Sequence, residues 1–121
     1  MHFTGIDIIE ITRIEKAIAR WNGHFLLRIY TNAELELYRE KVPSLAARFA
    51  SKEAVMKLLG TGRKGIGWRE IEILSLPSGK PAVNLHGRAR LKAEELGLKE
   101  VKISLAHSRE YAIALATAET E

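Results

Sequence analysis

Apolar and polar positions change their spacing several times along this chain, and each change marks an element. Phe3 to Ile9 is short, Ile-rich and β-branched, the pattern of a buried strand. Thr12-Arg13-Ile14-Glu15 follows as a capping box, a hydroxyl N-cap with a glutamate three residues on. The helix it opens places Ile14, Ala17, Ile18 and Trp21 on one face and Arg13, Lys16 and Arg20 on another, and Asn22-Gly23 ends it. A short helix is predicted over Phe25 to Tyr30. Thr31-Asn32-Ala33-Glu34 is a second capping box, whose helix must stop before Pro43 because the residue preceding a proline avoids the α region. Ser44 is the expected cap of a longer helix that runs to Leu59 and is closed by Gly60-Thr61-Gly62.

The second half changes to a period of two. Arg69 to Leu76 alternates as a strand, Pro77-Ser78-Gly79-Lys80 is a turn, and Pro81 to His86 returns as a hairpin partner. Gly87 to Leu96 is a charged amphipathic helix ending at Gly97. Glu100 to Ala106 and Tyr111 to Ala118 are two further strands, joined through His107-Ser108-Arg109-Glu110. Strand, helices, hairpin, helix and hairpin in that order predict an α+β fold with a mainly antiparallel sheet. No linker or repeat divides residues 1–121, so one domain is expected.

Composition narrows the function. The 46% hydrophobic and 28% charged shares are those of an ordinary globular protein. The absence of cysteine excludes disulfides, thiolate catalysis and thiolate-bound metal. No apolar run approaches the ~20 residues needed to span a bilayer, and the strand-like start lacks the features of a signal peptide, so a cytoplasmic protein is expected. A net charge of +4 favours an acidic partner, be it nucleic acid, an anionic cofactor or an acidic protein.

Three places could carry chemistry. Asp7 stands inside the apolar run Gly5-Ile6-Asp7-Ile8-Ile9, where a buried charge needs a partner or a metal; the alternative is a solvent-facing or capping aspartate. Glu53 and Lys57, four apart on the long helix, face the same way. Alone they read as a surface ion pair, but apolar neighbours Phe49, Ala50 and Met56 and the glycines after Leu59 leave room for a half-buried site beside a ligand. The order of helix then glycines is not that of a Walker A loop. Arg48 and Lys52, one turn apart, could meet phosphate or form a solvated face. His107 closes an apolar strand at a polar turn, where a histidine is structural more often than catalytic.

These segments in this order resemble the holo-[acyl-carrier-protein] synthases, the small group of 4′-phosphopantetheinyl transferases. The resemblance covers Gly5-Ile6-Asp7-Ile8-Ile9-Glu10-Ile11 with Arg13-Ile14, then Phe49-Ala50-Ser51-Lys52-Glu53-Ala54 through Lys57 to Gly60-Thr61-Gly62. It continues with Ile71-Glu72-Ile73, Gly79-Lys80-Pro81, Leu85-His86-Gly87 and Ser104-Leu105-Ala106-His107-Ser108. The family pattern more often has serine at Ala106 and threonine at Ser108, changes that keep His107.

The resemblance implies the phosphopantetheinyl transferase fold and a Mg²⁺-dependent transfer of 4′-phosphopantetheine from coenzyme A to a serine of apo acyl carrier protein. The released product is adenosine 3′,5′-bisphosphate, and the process served is fatty acid biosynthesis. Asp7 and Glu53 become the metal carboxylates and Lys57 the diphosphate ligand, while Arg48 and His107 hold the adenosine end across a subunit boundary of a homotrimer. Glu53 is the first candidate for the base that takes the serine proton and His107 the second. Arg13, Lys16 and Arg20 become a docking stripe for the acidic carrier protein. A nucleic-acid module is the main rival, weakened by a 7% aromatic share with no stacking residues interleaved in the stripe. A hydrolase of nucleotide diphosphates would share the metal site and leave the stripe unexplained. No nucleic acid and no membrane are expected as partners.

Overall fold

The computed structural model describes residues 1–120; Glu121, the last residue of the expected domain, lies outside the described residues. Strand β1 (His2–Glu10) leads into four helices, α1 (Ile11–Trp21), α2 (Gly23–Ile29), α3 (Asn32–Tyr38) and α4 (Val42–Leu59). A 3₁₀ turn at Trp68–Glu70 precedes the hairpin β2 (Ile71–Ser75) and β3 (Pro81–Leu85). Helix α5 (Gly87–Glu95) and the hairpin β4 (Lys102–His107) and β5 (Tyr111–Glu119) complete the chain. β1, β5 and β4 form one antiparallel sheet in that order, and β2 and β3 a second. The α+β architecture with antiparallel sheets is therefore the observed one.

Helix α4 is the centre of the molecule. Nearly every side of it is buried, so it is a core helix rather than an amphipathic surface one. It lies on the inner face of the three-stranded sheet, where small residues on both sides allow close approach: Ala112, Ala114, Ala116 and Ala118 on β5, Ala50 and Ala54 on α4, all buried. Gly5 of β1 sets the tightest point. A Cβ there would overlap the carbonyl oxygen of Ala54 and stand 2.8 Å from the amide nitrogen of Leu58. Only glycine lets β1 touch the α4 backbone.

Several local details differ from the sequence reading. The box at Thr12 does not cap α1, which begins at Ile11 with Glu10 as N-cap and no side-chain cap bond. The amide of Ile11 is satisfied by the carbonyl of Glu110 instead (2.8 Å), because β1 enters the helix beside the β4–β5 turn. α4 starts at Val42 rather than after Ser44, with Pro43 in the first turn, where a missing N–H costs nothing. The box at Thr31 and Glu34 forms with both reciprocal bonds, 3.2 Å and 2.8 Å. β1 is buried on only one face: Ile6 and Ile8 are exposed, as are Tyr111, Ile113 and Leu115 beside them on β5. Trp21, placed by the wheel on the inner face of α1, is also exposed.

Candidate active site

The alternation of β1 determines which of its residues meet α4. Gly5, Asp7 and Ile9 point inward, so Asp7 faces the helix while Ile6 and Ile8 face away. Lys57, on the last turn of α4, donates from Nζ to Asp7 Oδ1 (2.9 Å) and to the carbonyl of Ile6 (2.9 Å). The pair is asymmetric: the Asp7 side chain is 15% exposed and that of Lys57 54%. Asp7 is thus neither a solvent-facing aspartate nor a cap.

Glu53 lies one turn before Lys57 and is half-buried. Burial, followed by the nearby charge of Asp7, pushes its carboxyl above the usual carboxylate range, while Arg63, Lys57 and Arg13 pull it back. The Arg63 guanidinium approaches Glu53 Oε2 at 3.9 Å from the loop that follows α4. Gly60, in the left-handed region at φ +77°, caps α4 and turns the chain back toward its own last turns. Two carboxylates close enough to feel each other, with Lys57 and Arg63 against them, have the charges that could meet a cation and an anion together.

The donor set fits Mg²⁺. Asp7 and Glu53 offer hard oxygen ligands from two different elements. Among the described residues no group of three or more His, Cys, Asp or Glu is gathered for a metal. Asp7 and Glu53 are two carboxylates, the number Mg²⁺ takes when waters and substrate phosphates complete its shell.

Arg48 and Lys52, on another side of α4, are neither a solvated face nor an open phosphate cradle. In β2 the hydrogen bonds to β3 fall on the even positions, so Ile71 and Ile73 turn their backbone groups away from β3 and into the protein. Side chains satisfy that edge. Lys52 Nζ donates to the carbonyls of Ile71 (2.6 Å) and Trp68 (3.1 Å), and Arg48 Nε to that of Ile73 (3.4 Å). Glu34 Oε2 accepts from the amide of Ile73 (2.8 Å), and its Oε1 pairs with Lys52 (2.8 Å), both side chains fully buried. The Arg48 guanidinium also donates to Tyr38 (2.8 Å) and Ser75 (3.2 Å). Burial lowers the Lys52 pKa, with Glu34 opposing.

His107 is exposed at the end of β4, two strands away from β1, ~10 Å by the spacing of paired strands. It lines a shallow hollow with Ile8, Tyr111 and Ile113, at the rim of the bare apolar face. Within one chain it is not brought to Asp7 and Glu53. Arg13, Lys16 and Arg20 lie along α1, all three exposed, and Arg13 is near enough for its charge to act on Glu53. Sequence reasoning missed Arg63; the signal was a basic pair set between glycines, Gly62-Arg63-Lys64-Gly65, directly after the helix that bears Glu53.

Comparison with known proteins places the chain in a family. The sequence model of the 4′-phosphopantetheinyl transferase superfamily matches residues 4–116. The chain belongs to that superfamily, and within it to the holo-[acyl-carrier-protein] synthases. The synthase of Dehalococcoides mccartyi (strain CBDB1) is 58% identical over 119 residues, covering 98% of this chain and 99% of that protein. The crystal structure of the Neisseria meningitidis synthase superposes with a TM-score of 0.88 at 34% identity, covering 98% of each chain. That of the Helicobacter pylori synthase in complex with coenzyme A superposes at 0.87 and 32% identity, covering 96% of this chain and 99% of that one. No helix among the described residues is long and apolar enough to cross a membrane.

Proposed function

We propose that this chain transfers the 4′-phosphopantetheine group of coenzyme A to a serine of apo acyl carrier protein, with Mg²⁺, and releases adenosine 3′,5′-bisphosphate. The observation that carries the reading is the Asp7–Glu53–Lys57 cluster, built where β1 touches α4 through Gly5. The Helicobacter pylori relative was solved with coenzyme A, which supports coenzyme A as donor here.

Asp7 and Glu53 would hold the metal, which supplies charge neutralisation at the diphosphate when bound. Lys57 carries its ammonium on an exposed stem and sits against the diphosphate, offsetting charge on its oxygens as the serine oxygen attacks the β-phosphorus in line. The bond to the bridging oxygen breaks, and the bisphosphate leaves with that oxygen. Glu53, the carboxylate of α4 beside the metal, is the first candidate to take the serine proton. His107 is the second candidate for that base, and its exposed position suits contact with the adenosine end of a ligand held by another copy. Arg48 braces β2 through Nε and Nη2, which leaves Nη1 outside those bonds as its donor toward the adenosine 3′-phosphate.

The bare face of Ile6, Ile8, Ile113 and Leu115 supports a homotrimer with sites between neighbours, since exposed apolar patches of this kind mark interfaces. Arg13, Lys16 and Arg20 offer an acidic carrier protein a basic track that ends beside Glu53. The whole chain then acts as one cytoplasmic catalytic domain serving fatty acid biosynthesis. The test is incubation with coenzyme A, Mg²⁺ and an apo acyl carrier protein, with the carrier weighed by mass spectrometry. A gain of one phosphopantetheine group, abolished by chelator, is the expected result. Coenzyme A cleaved without any gain on the carrier would move the chain to the hydrolases, and an intact donor with no gain would sink the assignment for that carrier.

A further inference from the structure

Arg63 has no role in the transfer as proposed, yet it is the basic residue nearest in effect to Glu53. Of the cations acting on that carboxyl, its influence ranks ahead of those of Lys57 and Arg13. Its guanidinium stands 3.9 Å from Glu53 Oε2, and its Cζ lies 5.5 Å from the centre of the Trp68 ring. Trp68 is itself stacked on Phe49 of α4, with centroids 4.7 Å apart, so the platform under Arg63 is part of the core. The loop is fixed at both ends, by the Gly60 cap and by the amide of Gly67 donating to Glu70 (2.5 Å). Between those ends the Arg63 side chain is 70% exposed.

Charge balance gives this placement a meaning. Asp7 and Glu53 carry two negative charges, and Lys57 and Arg63 face them with two positive ones. A divalent cation adds two positive charges and the diphosphate diester of coenzyme A adds two negative ones. Counting only the groups that touch the two carboxylates, the loaded site is neutral when both basic side chains stay, and they are then released from the carboxylates to face the diphosphate. With Lys57 alone, one negative charge is left uncompensated in a partly dry site.

We propose that Arg63 is a second cation for the substrate's diphosphate, resting on Glu53 and Trp68 until a divalent ion takes the carboxylates. The inference rests on the transferase reading. Guanidinium is suited to the task, since it binds phosphate oxygens bidentately and stacks on aromatic faces between engagements.

The test is two binding titrations on the whole protein in its native assembly. One is calorimetry of coenzyme A in Mg²⁺; the other measures Mn²⁺ in the absence of coenzyme A, with free ion counted by electron paramagnetic resonance. In Arg63→Leu, coenzyme A should bind about tenfold more weakly, the size of one charge-assisted hydrogen bond. Mn²⁺ should bind a few-fold more tightly, because a cation competing for Glu53 has gone. Arg63→Lys should restore only part of the coenzyme A affinity, since it keeps the charge but loses the bidentate and stacking contacts. Effects of opposite sign are the signature that a loop prop cannot produce. Unchanged coenzyme A affinity, or Mn²⁺ affinity that falls with it, overturns the proposal. If wild-type protein binds no coenzyme A, the transferase reading fails first and this inference with it.

Discussion

Lys52 and Glu53 are consecutive residues of one helix with opposite fates. Lys52 points into the protein, is fully buried and spends its donors on Glu34 and two backbone carbonyls. Glu53 points toward β1, is half-buried and finds only a distant guanidinium. The first charge is closed, with every donor it has aimed at a protein acceptor. The second is open, and the surroundings that raise its pKa are those a cation would reverse. A network that completes a sheet edge needs nothing from outside, whereas two neighbouring carboxylates held only by half-exposed cations keep the means to take up a metal ion.

The largest expected effect breaks the closed network. Lys52→Met leaves Glu34 charged and unpaired in the core, which costs about 3–5 kcal/mol, a large part of the ~5–15 kcal/mol that holds a domain together. The chain should lose its cooperative urea transition or show a midpoint lowered by more than half. A second change, Glu34→Leu, should rescue little, because Lys52 and Glu34 also satisfy backbone groups of Trp68, Ile71 and Ile73. Full rescue by the double variant would mean that the backbone bonds contribute nothing.

Breaking the open cluster should leave the fold and remove the chemistry. Asp7→Ala and Glu53→Ala are each expected to lower transfer by at least ~10²-fold, the scale of losing one charge-stabilising group in an active site. Their urea midpoints should stay close to wild type, since the Lys57 and Arg63 partners are largely exposed. Wild-type rates in both variants at limiting Mg²⁺ would falsify the metal assignment. Gly5→Ala links the two regions. Its Cβ meets backbone, which no rotamer change relieves, so β1 must retreat from α4. A stability loss of about 1–3 kcal/mol by thermal unfolding is expected, together with a rate loss of up to ~10²-fold as Asp7 shifts from Glu53.

How much of this is legible in the sequence follows the range of the contacts. Asp7 stands out because an aspartate in an isoleucine run is anomalous on local grounds, and Glu53 with Lys57 because a helix puts residues four apart on one face. Thr31 and Glu34 cap a helix through bonds spanning three residues, so that box shows in the sequence; the second role of Glu34, toward Ile73 39 residues on, does not. Arg48 and Lys52 read as basic residues for phosphate or solvent, since nothing within a few residues of them announces a strand edge 19 to 25 residues later that needs their donors. The bare face of Ile6 and Ile8 is invisible for a related reason. A strand buried on both faces and one that leaves an apolar face bare have the same composition.

The basic stripe sharpens the contrast more gently. Arg13 acts on Glu53 as well as standing in the stripe, so its reversal mixes docking with chemistry. Lys16→Glu with Arg20→Glu is the cleaner pair. It should raise KM for the carrier about tenfold at low salt, with kcat within about twofold, and the difference should shrink as salt is added. Equal KM values would remove the docking role.

The smallest effect is thermodynamic, and its sign follows from the open state of Glu53. Burial, and then Asp7, raises its pKa in the folded chain above its value in the unfolded one. A group with a raised folded pKa stabilises the fold below its unfolded pKa and loses that contribution as pH rises through the folded value. Ionised Glu53 is therefore a mild liability in the metal-free chain at neutral pH. Glu53→Gln should melt higher than wild type by ~2 °C at pH 7, and the gap should close as pH falls through the carboxylate range. Saturating Mg²⁺ should invert the order, because only the carboxylate gains from the ion. Lys52→Met should show no such Mg²⁺-dependent crossing. A Glu53→Gln variant that melts lower at every pH and metal concentration would mean that Glu53 is as closed as its neighbour.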